Sequence, residues 1–153
     1  MEKEKINISE FFGEISDSLI VRNNDVNIKY HLNNSIILFN KTHLFQIIFN
    51  IVDNSLKYIN KKNPKIELYV NTVNDGIELI IEDNGPGIPE DFRSKVFEIF
   101  QTLQSKKTGE SNGVGLAIVN KIVRKNKGVI SIFESKKLGG VKFYIKLNAE
   151  VLS

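Results

Sequence analysis

Residues 77–89 read Ile77-Glu78-Leu79-Ile80-Ile81-Glu82-Asp83-Asn84-Gly85-Pro86-Gly87-Ile88-Pro89. Ile77 to Ile81 has the apolar content of a strand buried in a sheet. From Asp83 onward, two glycines and two prolines exclude regular structure. The strand therefore ends abruptly on an acidic residue and a glycine loop. A carboxylate at the end of an apolar strand needs hydrogen-bond donors if it is buried. The glycines permit unusual backbone angles and close approach of a ligand. Taken alone, a tight acidic turn explains the loop as well.

Working back from this strand, Asn74-Asp75-Gly76 is a turn and Ile66, Leu68 and Val70 alternate, which predicts a hairpin. Pro64 closes a connection from a helix that should follow Thr42 and run to about Asn60, with Leu44, Ile47, Ile48, Ile51, Val52 and Leu56 apolar. Earlier still, Val26, Ile28, Tyr30 and Leu32 alternate with Asn27, Lys29 and His31 as a half-buried strand. Ile36 to Phe39 is a short strand, and Asn33-Asn34 places the two to pair as a hairpin. Ile8, Phe11, Phe12, Ile15 and Leu19 recur at helical spacing, with Ser9 as N-cap.

Downstream, a short helix is expected from Pro89 to Phe100, then a polar, aperiodic and mobile stretch from Gln101 to Asn112. Leu116, Ile118, Val119, Ile122 and Val123 form a helix face ended by Gly128. Val129 to Phe133 and Val141 to Leu147 alternate around Leu138-Gly139-Gly140 as a last hairpin. This order predicts an α/β (α+β) sandwich: a mixed, largely antiparallel sheet covered by helices on one face. The 153 residues suit a single domain, 1–153.

Composition narrows the function. The net charge of +3 suits a bound polyanion such as a nucleotide but is too small to argue for nucleic acid. With no cysteine, there is no disulfide framework or thiolate metal site. No apolar run is long enough to cross a bilayer, so no membrane contact by this chain is expected.

Three segments carry chemistry. On the helix after Thr42, Asn50, Asp53, Asn54 and Lys57 fall at i, i+3, i+4 and i+7 on one face. A solvated stripe is the common use of such a pattern. Two asparagines in mid-helix, however, cost propensity that Lys or Glu would not. Their oxygens suit a hard cation such as Mg²⁺. The second segment is the Asp83-x-Gly85-x-Gly87 loop, whose carboxylate could accept from the exocyclic amine of adenine. It is neither the dinucleotide fingerprint nor a Walker loop, because the required further glycine and Gly-Lys-Ser/Thr are missing. The third is Asn112-Gly113-Val114-Gly115-Leu116, which opens a helix with exposed backbone N–H groups and favours an anion. Lys106 and Lys107 precede it and could cover a triphosphate.

In this order the segments resemble the GHKL ATPase superfamily and, within it, sensor histidine kinases. Asn50 to Tyr58 resembles the N box, Asp83 to Gly87 the G1 box, Val96 to Gln101 the F box and Asn112 to Leu116 the G2 box. The resemblance runs from about Ile8 to Leu147 and implies a Bergerat-type ATP-binding fold. By this resemblance Asn50 and Asn54 hold Mg²⁺ and its phosphates, Lys57 contacts phosphate oxygens and Tyr58 lies against adenine. Asp83 accepts from the adenine amine, Gly85 and Gly87 let the backbone close on the base, and Ile88 walls the pocket. Gly113 and Gly115 present backbone N–H groups to the phosphates, and Asn112 approaches the metal or terminal phosphate. Phe97 and Phe100 anchor a lid. Ser111 departs from a frequent glycine and Ser55 from a frequent alanine. Val141-Lys142 replaces a small hydroxyl pair, which puts in doubt a water-bridged adenine contact from that strand.

The implied reaction is transfer of the ATP γ-phosphoryl group to a histidine on a separate helical dimerisation domain, with a response regulator served indirectly. The implied setting is cytoplasmic, with any membrane anchor outside this chain. His31 and His43 are the chain's histidines. Neither lies in a phosphoacceptor context, so the chain alone is not expected to autophosphorylate. A stand-alone serine kinase of the anti-sigma type and a degenerate nucleotide-sensing module are the alternatives. A gyrase- or chaperone-like ATPase would place a general-base Glu where this chain has Asn50.

Overall fold

A computed structural model describes residues 2–59, 62–88, 91 and 112–153. The central hairpin forms as the sequence predicts. β4 (Lys65–Val73) and β5 (Gly76–Asp83) are antiparallel, from Val73 against Gly76 to Ile66 against Asp83. β7 (Val141–Asn148) lies antiparallel on the other side of β5, and β6 (Val129–Glu134) antiparallel beyond it.

The expected hairpin between the second and third strands does not form. β2 (Asn27–His31) pairs in parallel with β4, giving a five-stranded sheet of order β2-β4-β5-β7-β6. β3 (Ile36–Phe39) goes to a separate antiparallel sheet between β1 (Glu4–Asn7) and β8 (Glu150–Val151), two short strands that sequence reading passed over. The cause lies in the Asn33–Ser35 connection. Asn33 donates to Thr72 Oγ1 at 2.9 Å and accepts from the Ser35 amide at 3.0 Å, while the Ile8 amide donates to the Ser35 carbonyl at 3.0 Å. These bonds hold the turn to the end of β4 and to the first helix, so the chain crosses between sheets.

Helix α1 (Ile8–Leu19) starts earlier than Ser9 would allow as its cap. Asn7 is the N-cap, its side chain accepting from the Glu10 amide at 3.0 Å. The Ser9 hydroxyl donates instead to the Asn33 carbonyl at 2.8 Å. Helix α2 (Lys41–Tyr58) is capped by Asn40, which accepts from the His43 amide at 2.8 Å. Helix α3 (Asn112–Lys125) ends in a Schellman motif, with the Gly128 amide bonded to the Val123 carbonyl and the Lys127 amide to that of Arg124. The residue in the left-handed region is Lys127, at φ 61°, and not the expected Gly128. The helix and lid expected over 89–111 lie, residue 91 apart, outside the described residues.

The alternation of the strands decides which side is covered. Ile66, Leu68 and Val70 of β4, Ile77, Leu79 and Ile81 of β5, and Phe143, Ile145 and Leu147 of β7 are buried. They share a core with Leu44, Ile47, Ile48, Ile51 and Val52 of α2 and Leu116, Val119 and Val123 of α3. Each such side chain contributes about 1.5–3 kcal/mol on leaving water, so this layer fixes where α2 and α3 sit over β5. The other face carries polar pairs. Glu67 and Glu82 are opposed across β4 and β5. Glu67 Oε1 accepts from Lys137 Nζ and Tyr69 Oη and meets His31 Nε2, each at 3.0 Å. Glu82 accepts from Ser135 Oγ at 2.9 Å. Among the described residues, no helix is long and apolar enough to cross a membrane.

Candidate functional site

Where β5 ends, Asp83 is left at the edge of the core, only 4% exposed. Its Oδ1 accepts from the Gly85 amide at 2.9 Å and the Val141 amide at 3.1 Å. Its carbonyl accepts from the Gly140 amide at 3.0 Å. The described residues place no donor on Oδ2. The carboxylate is thus fixed by backbone from two segments, with one oxygen left for a ligand.

The turn between β6 and β7 makes this possible. Ser135 and Gly140 are bonded to each other through backbone, and the Ser135 hydroxyl accepts from the Leu138 amide at 3.1 Å. Gly140 presses so closely on Asp83 that a Cβ there would stand 2.2 Å from Oδ1 and 2.5 Å from the Asp83 carbonyl oxygen. Only glycine fits.

Asp83 faces a cavity of about 190 Å³. Asn54, Ser55 and Tyr58 of α2 form one wall. Gly85, Pro86, Gly87 and Ile88 of the loop after β5 form another, and Val141 and Phe143 of β7 the floor. The lining is mostly apolar, with a few polar groups, as small-molecule sites are. A larger cleft of about 640 Å³ lies at the other end of β5, by Asp75 and the end of α3, but it is lined by none of the residues selected above for chemistry.

Among the described residues, two polar atoms of the α2 residues in this wall have no hydrogen-bond partner, Asn54 Oδ1 and Ser55 Oγ, although both are sealed from solvent. Each such atom costs about 1–3 kcal/mol unless something binds to it. Asn50, one turn earlier, donates from Nδ2 to the Gln46 carbonyl at 2.7 Å. Its Oδ1 lies against the first turn of α3, and a Cβ on Gly115 would stand 2.9 Å from it. The absence of a side chain at Gly115 therefore brings the asparagine helix beside the start of α3, whose backbone N–H groups and dipole favour an anion.

The polar stripe on α2 divides. Asp53 turns away to a bidentate pair with Arg22, at 2.7 and 3.2 Å, so the four residues do not act as one face. Lys57 is half-buried, with Nζ 5.8 Å from the Tyr58 ring centroid. Ile88 is half-buried in the cavity wall, whereas Leu116 is wholly buried core and does not line it. Asn112, Gly113 and Val114 lie in the first turn of α3; their side chains, and Lys106, Lys107, Phe97 and Phe100, are outside the described set. Sequence reading missed Pro86, Val141 and Phe143 as cavity residues and treated Ser55 only as a departure. The alternation of β7 was the available signal, since Phe143 lies opposite Ile81 on the inner face.

The family described as "Histidine kinase-, DNA gyrase B-, and HSP90-like ATPase" matches residues 39–151. The chain is 32% identical over 72% of its length to "Phytochrome-like protein Cph1" of Synechocystis sp., of which it covers 15%. It is 37% identical over 74% of its length to "Sensor protein RprX" of Bacteroides fragilis, of which it covers 22%. The chain thus spans a minor part of these curated relatives. Full-length ShkA, solved with AMPPNP, superposes on all of this chain with a TM-score of 0.81 at 20% identity, the match taking 32% of that structure.

Proposed function

This chain belongs to the histidine kinase-, DNA gyrase B- and HSP90-like ATPase family, and from that premise we propose that it binds Mg-ATP in the Asp83 cavity and donates the γ-phosphoryl group to a histidine on a separate helical domain. The observation that carries the reading is the half-satisfied Asp83 carboxylate. Oδ1 is engaged by two backbone amides, so the carboxylate cannot rotate without breaking them. Oδ2 remains to accept from the amine of adenine. Tyr58, Ile88, Val141 and Phe143 surround the rest of the base, and Gly85 and Gly87 bring the backbone close to it.

The phosphates then run from the cavity toward the first turn of α3, where Asn112, Gly113, Val114 and Gly115 supply N–H groups. Lys57, Lys106 and Lys107 offset their charge. Asn50 and Asn54 have the donor chemistry for Mg²⁺: Asn54 Oδ1 is a buried oxygen of the hard type this ion prefers, with no partner among the described residues. Among the described residues no carboxylate or histidine cluster could hold a metal, so water and phosphate oxygens would complete its shell. The ion would neutralise charge on the transferring phosphoryl group. Asn50 is an amide and cannot take a proton from water, which disfavours hydrolysis.

The acceptor must come from elsewhere. His31 stacks on Tyr69 at 4.3 Å on the face of the sheet away from the helices, and His43 lines the distant cleft. A dimeric helical domain carrying the phosphoacceptor histidine, then a response regulator, are the proposed partners, in a cytoplasmic setting.

Calorimetric titration with a non-hydrolysable ATP analogue, with and without Mg²⁺, tests the site. The wild type is expected to bind. Asp83→Asn, which sets an amide donor in place of the free acceptor or of the clamped oxygen, is expected to lose about 10–100-fold. Absence of binding by the wild type would replace the kinase reading with a partner-binding module.

A further inference from the structure

We propose that the cleft at the far end of β5 is a second ligand site, built for a small amphipathic anion: one carboxylate, sulfonate or phosphate group on an apolar body. The cleft holds about 640 Å³ and shares no lining residue with the Asp83 cavity. That volume lies within the range of about 300–1,000 Å³ typical of small-molecule sites.

The floor is apolar. Phe39 and Ile122 are buried core residues that also line the cleft, and Ala149 and Val151 continue the surface. The walls are fixed before any ligand arrives. Asn126 and Asn148 clasp each other: the Asn148 amide donates to Asn126 Oδ1 at 2.7 Å, and Asn126 Nδ2 donates to the Asn148 carbonyl at 3.0 Å. The Ala149 amide donates to the Asp75 carbonyl at 3.0 Å. A Cβ on Gly128 would stand 2.2 Å from the Lys146 carbonyl oxygen, so the end of α3 is pressed onto β7.

Charge decides the class of ligand. Lys3, Lys125 and Lys127 line the cleft and have no ion-pair partner among the described residues. Against them stands Glu150, because Asp75 is already paired with Lys146 at 3.0 Å. The His43 ring, also in the lining, has no hydrogen-bond partner among the described residues. Cations at a helix C-terminus commonly complement the dipole. Here the carbonyls of the helix end are served by other groups. Those of Ile122, Val123 and Arg124 accept from the amides of Asn126, Gly128 and Lys127, and those of Asn126 and Lys127 accept from Asn148 Nδ2. The lysine ammonium groups are left for another anion. Lys127 is the clearest case. It occupies the left-handed region at φ 61°, where glycine would make the same turn at less cost. A long cationic side chain stands there against the backbone preference.

The probe is anilinonaphthalenesulfonate, titrated into the isotope-labelled chain and followed by fluorescence and by amide chemical shifts. Saturable binding is expected with a Kd on the order of 0.1 mM. Shifts should appear at Asp75, Ile122, Asn126 and Ala149, and an excess of the ATP analogue should leave them in place. Phenylnaphthylamine, the same body without the sulfonate, should bind about fivefold more weakly. The double variant Lys125→Gln/Lys127→Gln should lose about 5–10-fold for the sulfonate and nothing for the neutral body. Lys127→Gly should lose about threefold, while the melting temperature of the free protein rises by about 2–4 °C. A lysine that served only the helix end would lower that temperature when removed. No saturable binding, shifts confined to the Asp83 cavity, equal affinity for the two probes, or undiminished sulfonate binding in the double variant would each overturn the assignment. So would sedimentation with phosphatidylglycerol vesicles that depends on these lysines while the sulfonate leaves the cleft amides unshifted, the mark of a membrane-facing patch. Because the two cavities share no residue, a wild type that fails to bind the ATP analogue removes the adenine reading and leaves this site standing.

Discussion

Replacing Gly140 by alanine perturbs the site from a residue that does not line the cavity, by pressing on the carboxylate held there. The added Cβ would stand 2.2 Å from Asp83 Oδ1, 2.5 Å from its carbonyl oxygen and 2.6 Å from the Gly85 nitrogen. A carbon–oxygen contact needs about 3.3 Å, so the turn must retreat by about 1 Å. Two of the three atoms are backbone, and no side-chain rotation relieves them. Retreat lengthens the bonds from the Gly140 and Val141 amides, now 3.0 and 3.1 Å, beyond useful range. Overpacking costs about 1–3 kcal/mol, and the bond lost from Val141 to the carboxylate about 1.5–3 kcal/mol. The expected destabilisation is about 3–6 kcal/mol, a large part of the about 5–15 kcal/mol a domain possesses. Urea titration should show the midpoint falling by about 2 M. Below that midpoint, where the variant is folded, calorimetry should show ATP-analogue affinity down about 100-fold, because the carboxylate is no longer held. Gly139→Ala is the control. Gly139 has φ +93° but nothing within 4 Å of a Cβ, so it should lose about 1–3 kcal/mol to backbone strain and keep its affinity. A folded Gly140→Ala variant that binds as the wild type does, or a Gly139→Ala variant equally damaged in binding, would refute the clamp.

The polar face and the α2–α3 contact give two further expectations. Lys137, bonded to the Glu67 carboxylate, draws the Glu67 pKa from 4.5 to about 2 against the opposing effect of burial, with help from His31 and Tyr69. A carboxyl whose folded pKa is depressed contributes fully above its unfolded value and loses that contribution as pH falls toward the folded one. The urea midpoint should therefore drop between pH 4.5 and about 2, and more shallowly in Lys137→Met; parallel wild-type and variant curves would discount the pair. Gly115→Ala brings a Cβ to 2.9 Å from Asn50 Oδ1, the end of a side chain that can swing aside. Helix propensity gains about 1 kcal/mol, so stability should change little. The enhancement of nucleotide affinity by Mg²⁺ should fall about tenfold, measured by titration with and without the ion; an unchanged enhancement would remove Asn50 from the metal site.

Local pattern and turn chemistry sufficed for α2 and for the hairpins β4–β5 and β6–β7, because each is specified by neighbours in sequence. The partners of β2 and β3 were not readable that way. Both strands look alike locally, and what separates them is a set of long-range bonds from Asn33, Ser35 and Ser9 to distant residues. Strands as short as β1 and β8 carry too few residues to show a period. For the site, Asp83 was legible because an acidic residue at the end of an apolar strand is anomalous. Asp53 misled, since helical spacing cannot show that Arg22, 31 residues earlier, captures it. Val141 was judged by its missing hydroxyl, whereas its contribution to Asp83 is a backbone amide, which every residue but proline possesses. Ser55 was visible only as an oddity, and that its hydroxyl is buried without a partner among the described residues follows from a count of hydrogen bonds that a sequence does not contain.

The three-stranded sheet has a mechanical consequence. β1 and β8 both run antiparallel to β3 on its two sides, Glu4 lying at the Phe39 end and Val151 at the Ile37 end. The Leu152 amide and the Ser153 carbonyl extend the second ladder to Ile36. Tension applied between residue 4 and residue 153 would thus pull the outer strands lengthwise in opposite directions, loading their rungs together in shear instead of peeling them one by one. The ladder on β3 would bear that load first, while α2, β5 and the β6–β7 turn stand outside the direct line of force, leaving the Asp83 cavity intact until the smaller sheet gives way.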